Sequence, residues 1–249
     1  MAAALPRQIQ LKLEQTLAQW RQWQCRPSLK HAPTVVESLG TGIGNYSVLV
    51  ESGRQFVVRI DGLNPAANGL SRQAEWRALA AAHDAGLAPC PRYFNPELGS
   101  LVCDYLPHDS DQDGGTGDVA ALLRAIHRLP ARHQRLDLPE RIRNYEKLLE
   151  HRQDGFDERV MPYRESVVSM LRDTVRAPAT PVLCHHDLLR ANRLYSGGRL
   201  WALDWEYCAM GNALYDLAVV CLLYTSPSPR DRSAYLVCRL LLEQGGGGG

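Results

Sequence analysis

The sequence predicts an α+β fold of two lobes, a small one built on an antiparallel sheet and a larger one that is mostly helical. Three observations predict it. Residues 34–106 carry five short apolar runs bounded by turn residues, residues 117–176 change to helical spacing, and residues 182–204 return to short strands around a hairpin. The last stretch also concentrates the residues with chemistry in them, so lobe order and site position are read together.

Taken in order, residues 7–24 place Ile9, Leu13, Leu17 and Trp20 at helical spacing and stop before Pro27, as a stripe used for packing would. Thr34 to Leu39, Ser47 to Glu51 and Gln55 to Asp61 read as three strands, with Ser52-Gly53 turning the second into the third. Between the first two lies Gly40-Thr41-Gly42-Ile43-Gly44-Asn45, where missing Cβ atoms would let backbone N–H groups approach phosphates; an ordinary hairpin reads equally well from this stretch alone. A helix is expected from about Leu70 to Ala85, then strands at Arg92 to Phe94 and Leu101 to Leu106. His108 to Gly117 is rich in Asp and Gly and reads as a solvated loop, since its acidic residues lack the Glu that would close a calcium loop. Helices are expected at about 117–128, 140–151 and 157–176.

The chemistry concentrates after Leu183. Val182 to Cys184 reads as a buried strand, which puts His185-His186-Asp187 on the loop leaving it. Arg193 to Tyr195 and Leu200 to Leu203 read as two strands joined by Ser196-Gly197-Gly198-Arg199. Folding that hairpin back sets Asn192 opposite Leu203 or Asp204, so an amide oxygen and a carboxylate converge, a pair suited to a hard cation such as Mg2+. Asp187, five residues before Asn192, shares the loop and is free to receive a hydroxyl proton. Phosphoryl transfer asks a protein for little more than an orienting base, a metal held against the phosphates and fixed positive charge.

The run Cys184-His185-His186-Asp187 through Asn192, followed by Leu203-Asp204-Trp205-Glu206-Tyr207 and by Tyr215-Asp216-Leu217-Ala218, resembles the choline/thiamine kinase branch of the aminoglycoside phosphotransferase-like kinases. The resemblance, over roughly Thr34 to Val220, implies a bilobal protein-kinase-like fold and transfer of the ATP γ-phosphate to a small alcohol. It implies Asp187 as catalytic base, Asn192 and Asp204 as Mg2+ ligands, Glu206 beside the metal and Asp216 as a brace for the catalytic loop. It also implies Gly40, Gly42 and Asn45 as the nucleotide-covering turn. Arg59 then stands where kinases place the strand-three lysine, with Glu75 as its carboxylate partner. His186 departs from the pattern, which carries a small residue there. Trp205, Glu206 and Tyr207 are near enough to hold a cationic substrate, and the two aromatics read equally well as core.

Residues 221–249 read differently. Cys221 to Asp231 and Leu236 to Glu243 can be back-translated, in the right order, into the adapter of transposase-based short-read libraries, and the sequence ends in Gly245 to Gly249. Native sequence is therefore expected to end near Val220. The expected organisation is 1–104 for the amino-terminal helix and small nucleotide-binding lobe, 105–220 for the hinge and helical lobe, and 221–249 as a non-native tail, with the large lobe truncated. Without the tail's Arg230, Arg232, Arg239, Asp231 and Glu243, basic and acidic residues number 25 each, a balance that points to neither nucleic acid nor a membrane surface. Of the seven cysteines, five precede the tail, unpaired in spacing, as reduced thiols of a cytoplasmic protein would be.

Substrate expectations follow the resemblance: choline, thiamine or a related amino alcohol, with an aminoglycoside or amino sugar as the alternative. A non-catalytic nucleotide-binding scaffold would be expected to lack Asp187, Asn192 or Asp204, and all are present. A metal-dependent phosphohydrolase using His186-Asp187 would show further His/Asp ligand pairs. Nothing in the sequence fixes the oligomeric state.

Overall fold

The structure, a computed structural model, describes residues 5–41, 45–62, 70–109, 114–137, 140–144, 147, 165–166, 169 and 180–224. Helix α1 (Arg7–Ala18) and a short 3-10 turn (Trp20–Gln22) precede strands β1 (Thr34–Thr41), β2 (Asn45–Glu51) and β3 (Gln55–Asp61). Helix α2 (Arg72–Asp84), β4 (Pro91–Asn95) and β5 (Ser100–Asp104) complete the small lobe. These strands form one antiparallel sheet in the order β1-β2-β3-β5-β4. The large lobe contributes α3 (Thr116–His127), β6 (Val182–Cys184), β7 (Arg193–Ser196), β8 (Arg199–Ala202), β9 (Ala209–Gly211) and α4 (Ala213–Tyr224). The expected helices at 140–151 and 157–176 lie largely outside the described residues, although 140–144 and 147 are helical. The expected end of native sequence at Val220 falls inside α4, and residues 225–249 lie outside the description.

Two cores account for the layering. On one face of the sheet, Ile9 and Leu13 of α1 pack with Val48, Val50, Phe56, Val58 and Ile60, and Leu17 and Trp20 cover the margin, so the amino-terminal stripe is a packing surface. Trp23 meets Phe56 edge-on at 5.3 Å between ring centres. The second core joins Ala78, Leu79 and Ala82 of α2 to Leu122, Leu123 and Ile126 of α3, and to Leu183, Leu188 and Trp205. Helix α2 thus packs into a core shared with the large lobe. That continuity fixes the position of its first turn relative to the loop after β6.

Local chemistry explains the boundaries that matter for the site. Ser71 accepts a hydrogen bond from the Ala74 N–H at 3.2 Å and caps α2. The β7–β8 turn is Gly197-Gly198, with φ of 59° and 75°, the doubly left-handed backbone of a two-residue hairpin. Leu203 N–H donates to Asn192 O at 2.9 Å just beyond the last paired residues, the convergence expected from the hairpin. No helix among the described residues is long and apolar enough to cross a membrane.

Candidate active site at the lobe junction

The loop after β6 is pinned from beneath. Asp216, fully buried on α4, accepts hydrogen bonds from the backbone N–H groups of His185 (2.8 Å) and His186 (2.6 Å), and its Oδ2 pairs with His127 Nε2 at 3.0 Å. Burial opposes ionisation of Asp216, but His127, His186 and the backbone donors outweigh it and hold the carboxyl below its ordinary value. His185 donates through Nε2 to Leu203 O at 3.0 Å and packs its ring against Trp205 at 4.8 Å, tying the loop to the segment that carries Asp204.

His186 takes φ of 64°, the left-handed region that side chains rarely adopt. A small residue suits that backbone, which is why the imidazole is an unexpected occupant. Its Nδ1 bonds Tyr207 O at 3.1 Å and its ring meets Tyr215 edge-on at 5.0 Å. A Cβ on Gly211 would lie 2.6 Å from His186 Nε2, so the glycine opposite makes the room. His186 is therefore occupied structurally, which weighs against its use as a hydrolase metal ligand. Among the described residues, the His/Cys/Asp/Glu group close enough to share an ion is His127, Cys184 and Asp216, and both Asp216 oxygens already accept hydrogen bonds.

Burial drives the His185 pKa down to about 4, so the ring is neutral in the fold. An unfolded histidine, with a pKa of roughly 6.5, binds protons that the folded one refuses, so stability rises with pH across this window. Acidification from pH 7 towards 4 is expected to cost about 3 kcal/mol from this group, with the loss levelling off below its folded pKa. Urea midpoints at pH 7, 6 and 5 check this: His185→Asn should flatten the slope, and an unaltered slope in that variant would assign the acid sensitivity elsewhere.

Above the brace lie the predicted catalytic groups. Asp187 is half-buried, and burial raises its pKa. Asn192 donates through Nδ2 to Asp187 Oδ2 at 2.7 Å and to Asp187 O at 2.8 Å. With the amino end of the amide committed to Asp187, the amide oxygen is the atom left for a cation.

Asp204 takes φ of 57°, a second left-handed non-glycine position. Its carboxylate meets Arg59 at 2.8 Å, and Arg59 in turn holds Glu75 with N–O separations of 2.6 and 2.7 Å. Burial opposes the Arg59 charge, while Glu75 and Asp204 reinforce it. For Glu75, burial is likewise outweighed by Arg59 and then Arg72, which keep the carboxyl below its ordinary value.

Two residues of this network were not anticipated. Arg72, in the first turn of α2, pairs with Asp61 at 2.7 Å, Glu75 at 2.8 Å and Glu206 at 2.9 Å. The available signal was a cation three residues before Glu75, at a helix end where the macrodipole disfavours positive charge. Asp61 carries only a period-two relation to Arg59 on β3, which is no signal by itself. Asn45, at the start of β2, donates to Glu206 Oε2 at 3.0 Å. Gly40 pairs with Ser47 one residue before the end of β1, whereas Gly42 lies outside the described residues.

The network holds four carboxylates, of Asp61, Glu75, Asp204 and Glu206, against two guanidinium groups. Burial pushes the Asp204 pKa up to about 6, with Glu206 and Glu75 adding to the rise against the pull of Arg59. That excess of negative charge includes Asp204 and Glu206 on the segment whose Leu203 N–H bonds Asn192 O, and carboxylate and amide oxygens of this kind suit a divalent cation. The buried Arg59 Nε has no hydrogen-bond partner among the described residues, which fits an incoming anionic oxygen.

Trp205 requires a correction. Its side chain is 1% exposed, belongs to the shared core and donates to Ala202 O at 3.1 Å, so it packs the site from behind. Glu206 and Tyr207 do line a cavity of about 200 Å³ between the start of α2 and the large lobe, together with Asp137, Glu140, Arg141 and Asn144. The Arg141 guanidinium lies 4.7 Å from the Tyr207 ring centre.

Residues 35–239 match the profile of the phosphotransferase enzyme family. The chain is 26% identical over 191 residues to Protein LicA of Haemophilus influenzae, across 72% of this chain and 55% of that protein. It is 28% identical over 187 residues to a thiamine kinase of Escherichia coli O127:H6, across 74% of this chain and 65% of that enzyme. It thus spans little more than half to two-thirds of these curated relatives. Among solved structures, choline kinase LicA from Streptococcus pneumoniae superposes with a TM-score of 0.68 at 24% identity, covering 84% of this chain and 74% of that one. A structure of LicA in complex with AMP gives a TM-score of 0.73 at 22% identity, covering 95% and 80%. These neighbours share the bilobal kinase-like fold.

Proposed function

This chain belongs to the phosphotransferase enzyme family, and from that premise we propose that it transfers the γ-phosphate of ATP to the hydroxyl of a small cationic alcohol, of the choline or thiamine type. The observation that carries the reading is the contact of Arg59 with Asp204 at 2.8 Å, because it brings a cation from the small lobe and a carboxylate from the large lobe to one point. Arginine forks onto phosphate oxygens as it does onto carboxylates. Arg59 would exchange Asp204 for phosphate, and Asp204 with Asn192 would hold Mg2+. That ion would neutralise charge on the transferring phosphoryl group. Asp187 accepts the hydroxyl proton and Asn192 keeps its carboxylate oriented. Gly40, Gly42 and Asn45 belong to the turn that would cover the nucleotide.

The cavity beside Glu206 supports the choice of acceptor. Asp137, Glu140 and Glu206 line it against Arg135 and Arg141, an excess of one negative charge, and the Tyr207 ring lies against the Arg141 guanidinium, a face of the kind that holds a cation. Its volume of about 200 Å³ accommodates a small alcohol. Comparing kcat/KM for choline, thiamine, ethanolamine, amino sugars and aminoglycosides at fixed ATP and Mg2+ tests the assignment. We expect a single small cationic alcohol to lead by at least about tenfold, a difference of about 1.4 kcal/mol in transition-state binding. A lead by an aminoglycoside would replace the substrate class while keeping the reaction.

A further inference from the structure

We propose that Arg72 is a positioning residue of the metal site: it fixes Glu206 beside Asp204 and, with Asn45, couples that carboxylate to the nucleotide-covering turn. The proposal rests on the kinase reading above and assigns a division of labour between the two arginines of the network.

Arg72 uses all of its N–H donors. Nε and Nη2 fork onto Asp61 at 2.9 and 2.7 Å, Nη2 also reaches Asn45 Oδ1 at 3.3 Å, and Nη1 is shared by Glu75 Oε2 at 2.8 Å and Glu206 Oε2 at 2.9 Å. Its side chain is 9% exposed, and those of Asp61, Glu75 and Glu206 are 4%, 2% and 11% exposed. Arg59 differs. Its Nε has no hydrogen-bond partner among the described residues, and its link to Asp204 involves a carboxylate that is 31% exposed. Arg59 is thus placed to change partners when a ligand arrives, whereas Arg72 is saturated and has no donor to release. A ligand-binding residue needs free donors; a residue that positions another needs them all engaged.

The geometry around Arg72 is specific to a planar fork. Gly99, at φ of 62°, gives Asp61 its space, since a Cβ there would lie 2.8 Å from Asp61 Oδ2. Asp61 anchors one edge of the guanidinium and Glu206 receives the other, so β3 of the small lobe reaches the segment after Asp204 through one rigid group. Lysine keeps the charge but has neither the plane nor enough donors to reproduce these contacts. Groups that orient a metal site from behind typically change metal affinity or activity by 10–100-fold when removed.

The test titrates Mn2+ into the full chain in the presence of ADP, following free Mn2+ by electron paramagnetic resonance, for wild type, Arg72→Lys, Glu206→Gln and the double variant. Arg72→Lys is expected to weaken Mn2+ binding by about tenfold, as is Glu206→Gln. The double variant should be no weaker than the worse single one to within about twofold, because both changes disable the same element. Unchanged Mn2+ affinity in Arg72→Lys, or losses that multiply in the double variant, would overturn the proposal. Should Arg72→Lys not fold, Glu206→Gln alone decides, and wild-type Mn2+ affinity in that variant overturns it as well. Alcohol turnover by wild type is measured in parallel. Mn2+ affinities weakened as expected in the variants but no turnover by wild type count against the kinase reading alone, and turnover with an unaltered Arg72→Lys titration counts against Arg72 alone.

Discussion

Asp187→Asn is expected to lower kcat by about 10²–10⁴-fold, the usual contribution of a positioned general base, while leaving ATP and Mg2+ affinity within about threefold of wild type. Asparagine keeps the shape of the side chain and an oxygen that can accept the 2.7 Å bond from Asn192 Nδ2, so the loop should survive the change. What it loses is the capacity to take the alcohol's proton. Asp187 suits that capacity because burial raises its pKa from the ordinary value, making the carboxylate a better base than one in water. Steady-state kinetics with separate ATP and alcohol titrations distinguish the cases. A fall in kcat with KM for ATP held is the expected result, whereas a rise in KM with kcat unchanged would give Asp187 a binding role instead.

The largest stability effect is expected at Asp216. Replacing it with Ala would leave the buried N–H groups of His185 and His186 without acceptors and His127 without its partner. Each orphaned buried donor costs about 1–3 kcal/mol, so the two N–H groups alone are expected to cost about 2–6 kcal/mol. Asp216→Asn should fall between, since one amide oxygen can accept while the amino group faces a second donor. The contribution of the carboxylate is fully present above the unfolded pKa of about 3.9 and is lost as pH falls through its lower folded value. Urea unfolding at pH 7 measures the loss. A midpoint matching wild type would mean that the loop is held by something other than this brace. Because the same loop carries Asp187, kcat should fall with stability in Asp216→Ala even where the protein remains folded.

What the sequence revealed, and what it did not, divides by distance along the chain. The strands of the small lobe, the Gly197-Gly198 turn and the convergence of Asn192 with Leu203 follow from alternation and turn chemistry within a few residues, and each is found close to its expected bounds. The Arg59–Glu75 pair, drawn from resemblance, spans 16 positions and is present. Arg72 is less legible because only its Glu75 contact is local, three residues along α2, while its other partners come from β2, β3 and the segment after β8. His127, the third partner of Asp216, was missed for the same reason: it lies 89 positions away at the end of α3. Trp205 illustrates the converse. In sequence it sits between two acidic residues and looks available to a substrate, yet its indole N–H turns back onto Ala202 O and its rings fill the shared core. Tyr207, two residues on, reaches the cavity instead.

On the proposed reading, Asp187, Asn192, Asp204 and Arg59 form one centre that moves a phosphoryl group onto an alcohol. Phosphorus-31 NMR of the full chain with ATP, Mg2+ and each alcohol of the panel tests it most directly, because it observes the new phosphate ester as well as the loss of the γ-phosphate. A phosphomonoester resonance is expected to grow in step with ADP for one small cationic alcohol and to be absent with Asp187→Asn. Loss of the γ-phosphate only as inorganic phosphate, whatever the alcohol, would contradict it and make the site a hydrolase.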